Sequence, residues 1–336
     1  MVIWGAGAIG GTIGAWLERA GQDVLFVDSD RRHVQEIKAG RLRIEGPIDN
    51  FTTGGDAAVP EDVTGVHRLI ILAVKAHHTE AAVRELAPHL AADGAVVSCQ
   101  NGLNELVIAG LVDRSRTIGA FVNFMADYLE PGRILYGARG AVVVGELDGA
   151  HLPRTAALHR LLRIFEPAAI ETDNIFGYLW GKEAYGTVLK VSAMADATIA
   201  GFIADPAWKT TIVAMIQEVL EVARADGVRP LGFNGFDASA FARRDRAAIE
   251  ASLQALIAYN SHTAKPYSGV WRDIVVRRRP TDVAAQLGPV QATARRHGVP
   301  TPLLDWIIAT IAEVDAGSRT IGADLVNELR ARAEAT

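Results

Sequence analysis

The sequence predicts an α/β domain followed by a mostly helical domain. A glycine-rich turn, Gly5–Gly10, lies between a short apolar strand and a helix at the start of the chain. The first half then alternates short apolar runs with amphipathic segments, which is typical of βαβ units. Beyond about residue 172, β-branched runs become rare and helical periodicity prevails. At roughly 100–200 residues per domain, we expect two domains, residues 1–172 and 173–336.

The strands and helices follow from hydrophobic spacing. Val2–Trp4 is predicted as the first strand, Ile9–Ala20 as a helix and Asp23–Asp28 as the second strand. Continuous apolar runs predict further strands in a parallel sheet that is covered on both faces. These runs are Leu69–Val74, Ala95–Cys99, Thr117–Val122 and Ala141–Val144. In the second half, Met215–Ala225 and Leu303–Val314 have clear helical periodicity.

Composition excludes several classes of protein. The net charge is −5 and no domain has the basic excess of a nucleic-acid binder. Cys99 is the single cysteine, so an intrachain disulfide is impossible. No apolar run approaches the ~20 residues of a membrane span, and the N-terminus lacks the pattern of a signal peptide. No His, Cys and carboxylate cluster has metal-ligand spacing. We therefore expect a cytoplasmic protein without a metal site.

The glycine-rich turn has the pattern G-x-G-x-x-G, formed by Gly5, Ala6, Gly7, Ala8, Ile9 and Gly10. It follows a strand and opens a helix, and Asp28 ends the next strand at the expected separation, which is the context of a dinucleotide-binding Rossmann fingerprint. Gly5 would allow the tight turn, Gly7 the approach of the pyrophosphate, and Gly10 close packing of helix and strand. The helix N-terminus would supply N–H groups to the pyrophosphate.

Asp28 also bears on the choice of cofactor. A carboxylate at this position accepts hydrogen bonds from the ribose hydroxyls of NAD and repels a 2′-phosphate. Ser29, Arg31 and Arg32 follow at once and offer an alternative site for the phosphate of NADP(H). We expect NAD(H) to be preferred.

Five further segments occur in a specific order. They are Lys75 after a strand, Gln100-Asn101-Gly102, Trp180-Gly181-Lys182, Ser268–Asp282 and His297–Pro302. In these segments and in its glycine-rich start, the chain resembles the ketopantoate reductase family (2-dehydropantoate 2-reductase). The resemblance covers nearly the whole length of the chain. The resemblance implies a Rossmann domain plus a helical domain like those of 6-phosphogluconate dehydrogenase relatives. It also implies hydride transfer between a nicotinamide and the ketone of a 2-oxo acid.

The resemblance assigns roles to individual residues. Lys182 matches the catalytic lysine, Asn101 an asparagine near nicotinamide and substrate, and Lys75 a lysine that lines their site. Asp282 falls where the family usually has a glutamate, and we expect it to contact the cofactor. An ammonium at Lys182 would stabilise the negative charge that develops on the carbonyl oxygen and deliver the proton. The structural alternatives are a surface lysine at 182, an ordinary Asn-Gly turn at 101 and a solvated loop lysine at 75.

The sequence departs from the family at positions that hold substrate. Gly186 and Lys190 stand where the resemblance implies asparagines, and another asparagine is missing near Ala200. The serine that would bind the substrate carboxylate falls at Ser268 or Gly269. Because buried amide partners of a polar substrate are lost, we expect a substrate other than ketopantoate.

Other residues are candidates to hold a substrate anion. Lys190 lies two helical turns from Lys182, and Arg272 is a further candidate unless Asp273 holds it as a structural pair. His262 and Lys265 are similar candidates, whereas Arg277–Arg279 is expected to be a solvated helix face or an oligomer contact. Two alternative functions remain: a dehydrogenase of a non-acid alcohol or polyol, and a dinucleotide-binding sensor without turnover. The helical domain offers enough apolar surface for a homodimer.

Overall fold

The computed structural model describes residues 1–261 and 266–335. It divides the chain into two compact units, Met1–Ile175 and Phe176–Thr336. The first unit is α/β and the second is mostly helical, so the predicted fold class is confirmed.

The first unit contains strands and helices in alternation. Its strands are β1 (Val2–Trp4), β2 (Leu25–Val27), β3 (Leu42–Glu45), β4 (Phe51–Thr53), β5 (Asp56–Ala58), β6 (His67–Leu72), β7 (Leu90–Ser98), β8 (Thr117–Val122), β9 (Met125–Glu130), β10 (Arg133–Ala138), β11 (Val142–Glu146) and β12 (Ile170–Glu171). Its helices are α1 (Ala8–Arg19), α2 (Arg31–Lys38), α3 (Thr79–Leu86), α4 (Asn104–Val112) and α5 (Pro153–Phe165).

The larger sheet has the strand order β12-β11-β8-β7-β6-β1-β2-β5. From β5 to β8 all neighbours are parallel. The expectation that Ala141–Val144 joins a wholly parallel sheet is wrong, because β11 runs antiparallel to β8. The chain returns from β8 through the short β9–β10 hairpin, and a parallel return would need a crossover connection.

Side chains of the central strands alternate between two cores. Ile3 and Ile71 pack on one side with α1 and α5, whereas Val2, Ile70 and Leu72 pack on the other with α3 and α4. Burial on both faces explains why these strands read as continuous apolar runs.

A second sheet, in the order β4-β3-β10-β9, was not predicted from the sequence. It packs on α1, where the ring of Trp16 meets Phe51 and Tyr136 edge-on at centroid distances of 4.7 and 5.1 Å. Buried residues of β3 and β10 alternate with more exposed ones, so these strands lack the continuous apolar runs that identify the larger sheet.

The second unit is built from helices. They are α6 (Ile175–Met194), α7 (Ile199–Ala204), α8 (Lys209–Ala225), α9 (Ala238–Ala242), α10 (Arg246–Ser261), α11 (Gly269–Trp271), α12 (Val283–His297), α13 (Pro302–Asp315) and α14 (Ala323–Ala335). Helix α6 begins at the last residue of the first unit. Within the described ranges, none of the helices combines the length and hydropathy that a membrane span needs.

A carboxylate on α8 caps the start of α13. Glu218 accepts the backbone N–H groups of Leu303 and Leu304 at 3.1 and 2.7 Å. These are among the N–H groups that a helix leaves without an internal partner. Burial raises the pKa of Glu218 from 4.5 to about 7. Between these two pH values the folded protein keeps Glu218 protonated, whereas the unfolded chain has released the proton.

This raised pKa predicts that stability falls as pH rises from about 4.5 to about 7. The Glu218→Gln variant keeps an acceptor but cannot ionise. Over that pH interval, the free energy of unfolding of Glu218→Gln should decrease by about 1–3 kcal/mol less than that of the wild type. Urea denaturation at a series of pH values measures the difference. The exposed Glu334→Gln variant is the matched control, and identical slopes for wild type and Glu218→Gln would contradict the assignment.

Candidate active site

The turn between β1 and α1 is held against the ends of neighbouring strands. Gly5 has φ +96°, a left-handed value that favours glycine. A Cβ at Gly5 would lie 2.8 Å from the backbone nitrogen of Val74, so the turn passes directly over the end of β6. The N–H groups of Gly5 and Ala6 both donate to Val27 O, at 2.8 and 3.2 Å. The turn is therefore fixed from both sides of β1.

The other two glycines of the motif have opposite surroundings. A Cβ at Gly10 would lie 2.2 Å from Gly5 O and 2.8 Å from Ile3 Cγ2. A Cβ at Gly7 would meet nothing within 4 Å, although Gly7 has an ordinary φ of −68°. Gly10 thus brings α1 onto β1, whereas Gly7 leaves open space at the N-terminus of α1.

Two glycines beyond the motif also have a packing role, which was not predicted from the sequence. A Cβ at Gly11 would lie 2.5 Å from Ile134 Cδ1 of the second sheet, and one at Gly14 would lie 2.4 Å from Phe26 Cε1. Glycine at a spacing of three or four residues along α1 was the available signal.

Lys75 and Asn101 follow two adjacent parallel strands, β6 and β7. The chain leaves β1 towards β2 on one side and returns to β6 on the other. This is the switch point of the sheet, where ligands bind in open α/β folds. Lys75 is half-buried and Asn101 is exposed.

A buried polar network joins the loops that carry Lys75 and Asn101. Gln100 Nε2 donates to Val74 O and to Thr79 Oγ1, at 2.9 and 2.8 Å. The Thr79 hydroxyl lies 2.9 Å from Asn104 Oδ1, and Asn104 Nδ2 donates to Asn101 O at 2.5 Å. The sequence does not predict this network, although Gln100 belongs to the Gln100-Asn101-Gly102 segment. The network positions the backbone on which both predicted site residues stand.

Asp28 follows β2 and is half-buried. Its Oδ1 accepts the N–H of Asp30 at 2.9 Å, which closes the turn before α2. A carboxylate has several acceptor positions, so this bond leaves capacity for a further donor. Arg31 forms an ion pair with Glu61, and both side chains are exposed.

The start of α6 is crossed by a segment of chain. A Cβ at Gly181 would lie 2.1 Å from Leu231 O, and the N–H of Leu231 donates to Gly177 O at 2.8 Å. Trp180, between the two glycines, is fully buried. Lys182 comes next and is half-buried. The packing of its neighbours therefore fixes the position of the backbone at Lys182.

Lys182, Gly186 and Lys190 follow each other at intervals of four residues, so they lie along one face of α6. Lys190 is 3% exposed, and its Nζ lies 3.6 Å from Glu183 Oε2. A Cβ at Gly186 would lie 3.0 Å from Lys190 Nζ. The ammonium of Lys190 thus occupies the space beside Gly186, and its charge is opposed by a buried carboxylate.

The remaining predicted substrate and cofactor residues lie elsewhere in the second unit. Ser268 is buried, and its Oγ accepts the N–H of Trp271 at 3.3 Å. Arg272 is half-buried directly after α11. Asp282 is buried, and its carbonyl accepts the N–H of Gln286 at 2.9 Å. His262 and Lys265 lie outside the described residues.

The expectation for the arginine run is wrong in part. Arg277 and Arg279 pair with the buried Asp273, with N···O distances of 3.1 and 2.9 Å, and the run lies beyond the last helical residue, Val276. Arg278 and Arg279 are exposed, as expected. A buried carboxylate needs such partners because an uncompensated charge is costly.

Family models match both units of the chain. The model described as "Ketopantoate reductase PanE/ApbA" matches residues 1–149, and "Ketopantoate reductase PanE/ApbA C terminal" matches residues 174–315. The chain belongs to the ketopantoate reductase family. It is therefore an NAD(P)-dependent oxidoreductase that acts on CH–OH groups.

Curated relatives extend over most of the chain. A 2-dehydropantoate 2-reductase of Mesorhizobium japonicum is 25% identical, over 93% of this chain and 96% of its own length. One of Pyrococcus horikoshii is 27% identical over the same shares. This level of identity fits a divergent member of the ketopantoate reductase family.

Solved structures share the fold. D-mandelate dehydrogenase with NADH and anilino(oxo)acetate has a TM-score of 0.80 at 21% identity, and covers 94% of this chain and 98% of its own. A ketopantoate reductase of Ralstonia eutropha has a TM-score of 0.78 at 22% identity over the same shares.

The contrast between Gly7 and Gly10 predicts different outcomes for one added methyl group. Gly7→Ala should leave the free energy of unfolding within about 0.5 kcal/mol of wild type and weaken NADH binding about tenfold or more, because the methyl group would enter the space that we expect the pyrophosphate to approach. Gly10→Ala should cost about 1–3 kcal/mol of stability through overpacking. Urea denaturation and fluorescence titration with NADH measure both. Wild-type affinity in Gly7→Ala would contradict this reading of the turn.

Proposed function

We propose that this family member interconverts a 2-oxo acid and a 2-hydroxy acid, with Lys182 as the general acid and NAD(H) as the preferred cofactor. The observation that carries the proposal is the position of Lys182. It is a half-buried ammonium on a buried helix whose backbone is fixed by the crossing of Leu231 over Gly181. A proton donor must be held in place to act in the transition state.

The residues of the first unit fit a dinucleotide. The open space at Gly7 and the N-terminus of α1 suit a pyrophosphate, and the acceptor oxygens of Asp28 suit a ribose. Lys75 and Asn101 would contact the cofactor or the substrate at the switch point. We assign Asp282 to cofactor contact on the family resemblance. When bound, the reduced nicotinamide supplies the hydride.

Lys182 would act on the oxygen of the substrate carbonyl. Negative charge grows on that oxygen as hydride adds to the carbon, and a nearby ammonium stabilises the charge. The ammonium then donates a proton to the oxygen, which yields the hydroxyl group. In the reverse direction the neutral amine accepts this proton. Asn101 matches an asparagine that the family resemblance implies near the nicotinamide and the substrate.

The substrate pocket would differ from that of a ketopantoate reductase in its polar groups. Gly186 offers no side chain, and the buried pair of Lys190 and Glu183 offers an ammonium and a carboxylate whose charges oppose each other. Lys190 would therefore serve the substrate as a hydrogen-bond donor more than as a net positive charge. Ser268 and Arg272 are the remaining candidates for the substrate carboxylate. D-mandelate dehydrogenase, which shares the fold, illustrates a different acid substrate on it.

Two features support NAD(H) over NADP(H). Asp28 would present a carboxylate to the ribose, and a carboxylate there repels a 2′-phosphate. Arg31, which could have received that phosphate, is paired with Glu61.

The assembly into a homodimer and the cytoplasmic location stay predictions of the sequence.

Replacement of Lys182 should abolish most of the turnover while cofactor binding persists. Lys182→Ala should lower kcat about 10²–10⁴-fold and leave the Kd of NADH within about twofold. Lys182→Arg keeps the charge but cannot donate a proton, because a guanidinium stays protonated; its kcat should fall nearly as far. Initial rates of NADH and NADPH oxidation with ketopantoate and a panel of 2-oxo acids measure the effect.

The matched control is Lys209→Ala, an exposed lysine of the same unit that pairs with Glu250. If the wild type acts on neutral alcohols or polyols and on none of the acids, the substrate is an alcohol or polyol and the proposed acid substrate is wrong. Tight NADH binding without turnover of any substrate would indicate a sensor.

Asp28 should decide the cofactor preference. The wild type should show a higher kcat/KM with NADH than with NADPH. Asp28→Asn keeps the acceptor for the N–H of Asp30 and removes the charge, so the ratio of the two kcat/KM values should shift towards NADPH about tenfold. A wild-type preference for NADPH, or an unchanged ratio in the variant, would reject the role of Asp28.

A further inference from the structure

A histidine outside the predicted site lies directly behind the glycine-rich turn. His33, on α2, is fully buried. Its Nε2 lies 2.8 Å from Ala6 O, and the N–H of Gly132 donates to its Nδ1 at 2.9 Å. Gly132 lies in the turn between β9 and β10 of the second sheet. One side chain thus connects the glycine-rich turn, α2 and the second sheet.

The two partners fix the protonation pattern of the ring. A backbone N–H only donates, so Nδ1 must accept and carries no proton. A backbone carbonyl only accepts, so Nε2 must donate its proton to Ala6 O. His33 therefore needs to be neutral, with the proton on Nε2.

The bond to Ala6 determines which way the next amide points. In a trans peptide the C=O and N–H groups point in opposite directions. With Ala6 O turned towards His33, the N–H of Gly7 points away from His33. A Cβ at Gly7 would meet nothing within 4 Å, and we expect the pyrophosphate to approach this open space.

The second sheet also reaches the turn that contains Asp28. Tyr128 on β9 packs edge-on against the His33 ring, with centroids 5.1 Å apart, and its hydroxyl donates to Asp30 Oδ2 at 3.1 Å. Asp30 in turn donates its own N–H to Asp28 Oδ1. A Cβ at Gly132 would lie 2.8 Å from Glu36 Cβ, so the hairpin packs on α2 without a gap. The second sheet therefore supports both ends of the expected dinucleotide site.

We infer that His33 is a positioning residue for the dinucleotide: it orients the Ala6–Gly7 peptide towards the pyrophosphate and connects that orientation to the second sheet. The inference rests on the proposed binding of NAD(H) to the glycine-rich turn. Because His33 is fully buried, it would act on the cofactor only through Ala6.

Two amide variants separate this role from a merely structural one. Gln at position 33 places its amide nitrogen near the position of Nε2 and can still donate to Ala6 O. Asn places its amide near the position of Nδ1, so it keeps an acceptor for Gly132 but loses the bond to Ala6. Both variants remove the ring, and thermal unfolding should show similar losses of stability.

Fluorescence titration with NADH should then distinguish the two variants. His33→Gln should bind within about twofold of the wild type, whereas His33→Asn should bind about 3–10-fold more weakly, as expected for the loss of one hydrogen bond. Equal affinities of the two variants for NADH would overturn the inference about His33. The proposed function would still stand in that case, provided that the wild type binds NADH. A wild type that binds neither NADH nor NADPH would overturn the proposed function itself.

A measurement on the wild type covers the case in which neither variant folds. In protein labelled with ¹⁵N-histidine, the His33 nitrogens should show the tautomer with the proton on Nε2, and saturating NADH should shift them. The opposite tautomer, or shifts unchanged at full saturation, would overturn the inference.

Discussion

The close approach of the β1–α1 turn to the backbone at the end of β6 is the constraint on which the first unit depends. A side chain at Gly5 or Gly10 would collide with backbone atoms, so α1 approaches the sheet this closely only with glycine at both positions. This packing directs the N-terminus of α1 to the switch point of the sheet, where Lys75 and Asn101 also emerge. The tight turn therefore creates both the packing of the helix and the place for an anion.

The second sheet extends this arrangement from outside the central sheet. It packs on α1 through Trp16 and Gly11, and it reaches the glycine-rich turn through His33 and the turn of Asp28 through Tyr128. Hydrogen bonds in such buried positions are costly to break, because the polar groups then have neither a protein partner nor water to bond to. An element that carries no predicted site residue thus contributes to the geometry of the site.

In the second unit, glycine again determines the position of a predicted site residue. The segment at Leu231 can cross α6 only because Gly181 has no side chain, and this crossing fixes the helix one residue before Lys182. Further along the same face, the absence of a side chain at Gly186 leaves space that the Lys190 ammonium occupies next to Glu183. The space that Gly186 leaves on this face of α6 is thus occupied by one partner of a buried ion pair.

The sequence by itself determined the two-unit architecture, the glycine-rich turn between β1 and α1, and the family, because these depend on local patterns. Glycines at fixed spacing, apolar runs and the residue that ends a strand are all read along the chain. It did not determine the antiparallel β11, the second sheet or the pairing of Asp273 with Arg277 and Arg279. It also did not determine the contacts of His33 with Ala6 and Gly132, which are 27 and 99 residues away. These features depend on which distant groups meet in the folded chain, and only the tertiary structure decides that, since a buried polar group takes whatever partner the packing brings to it.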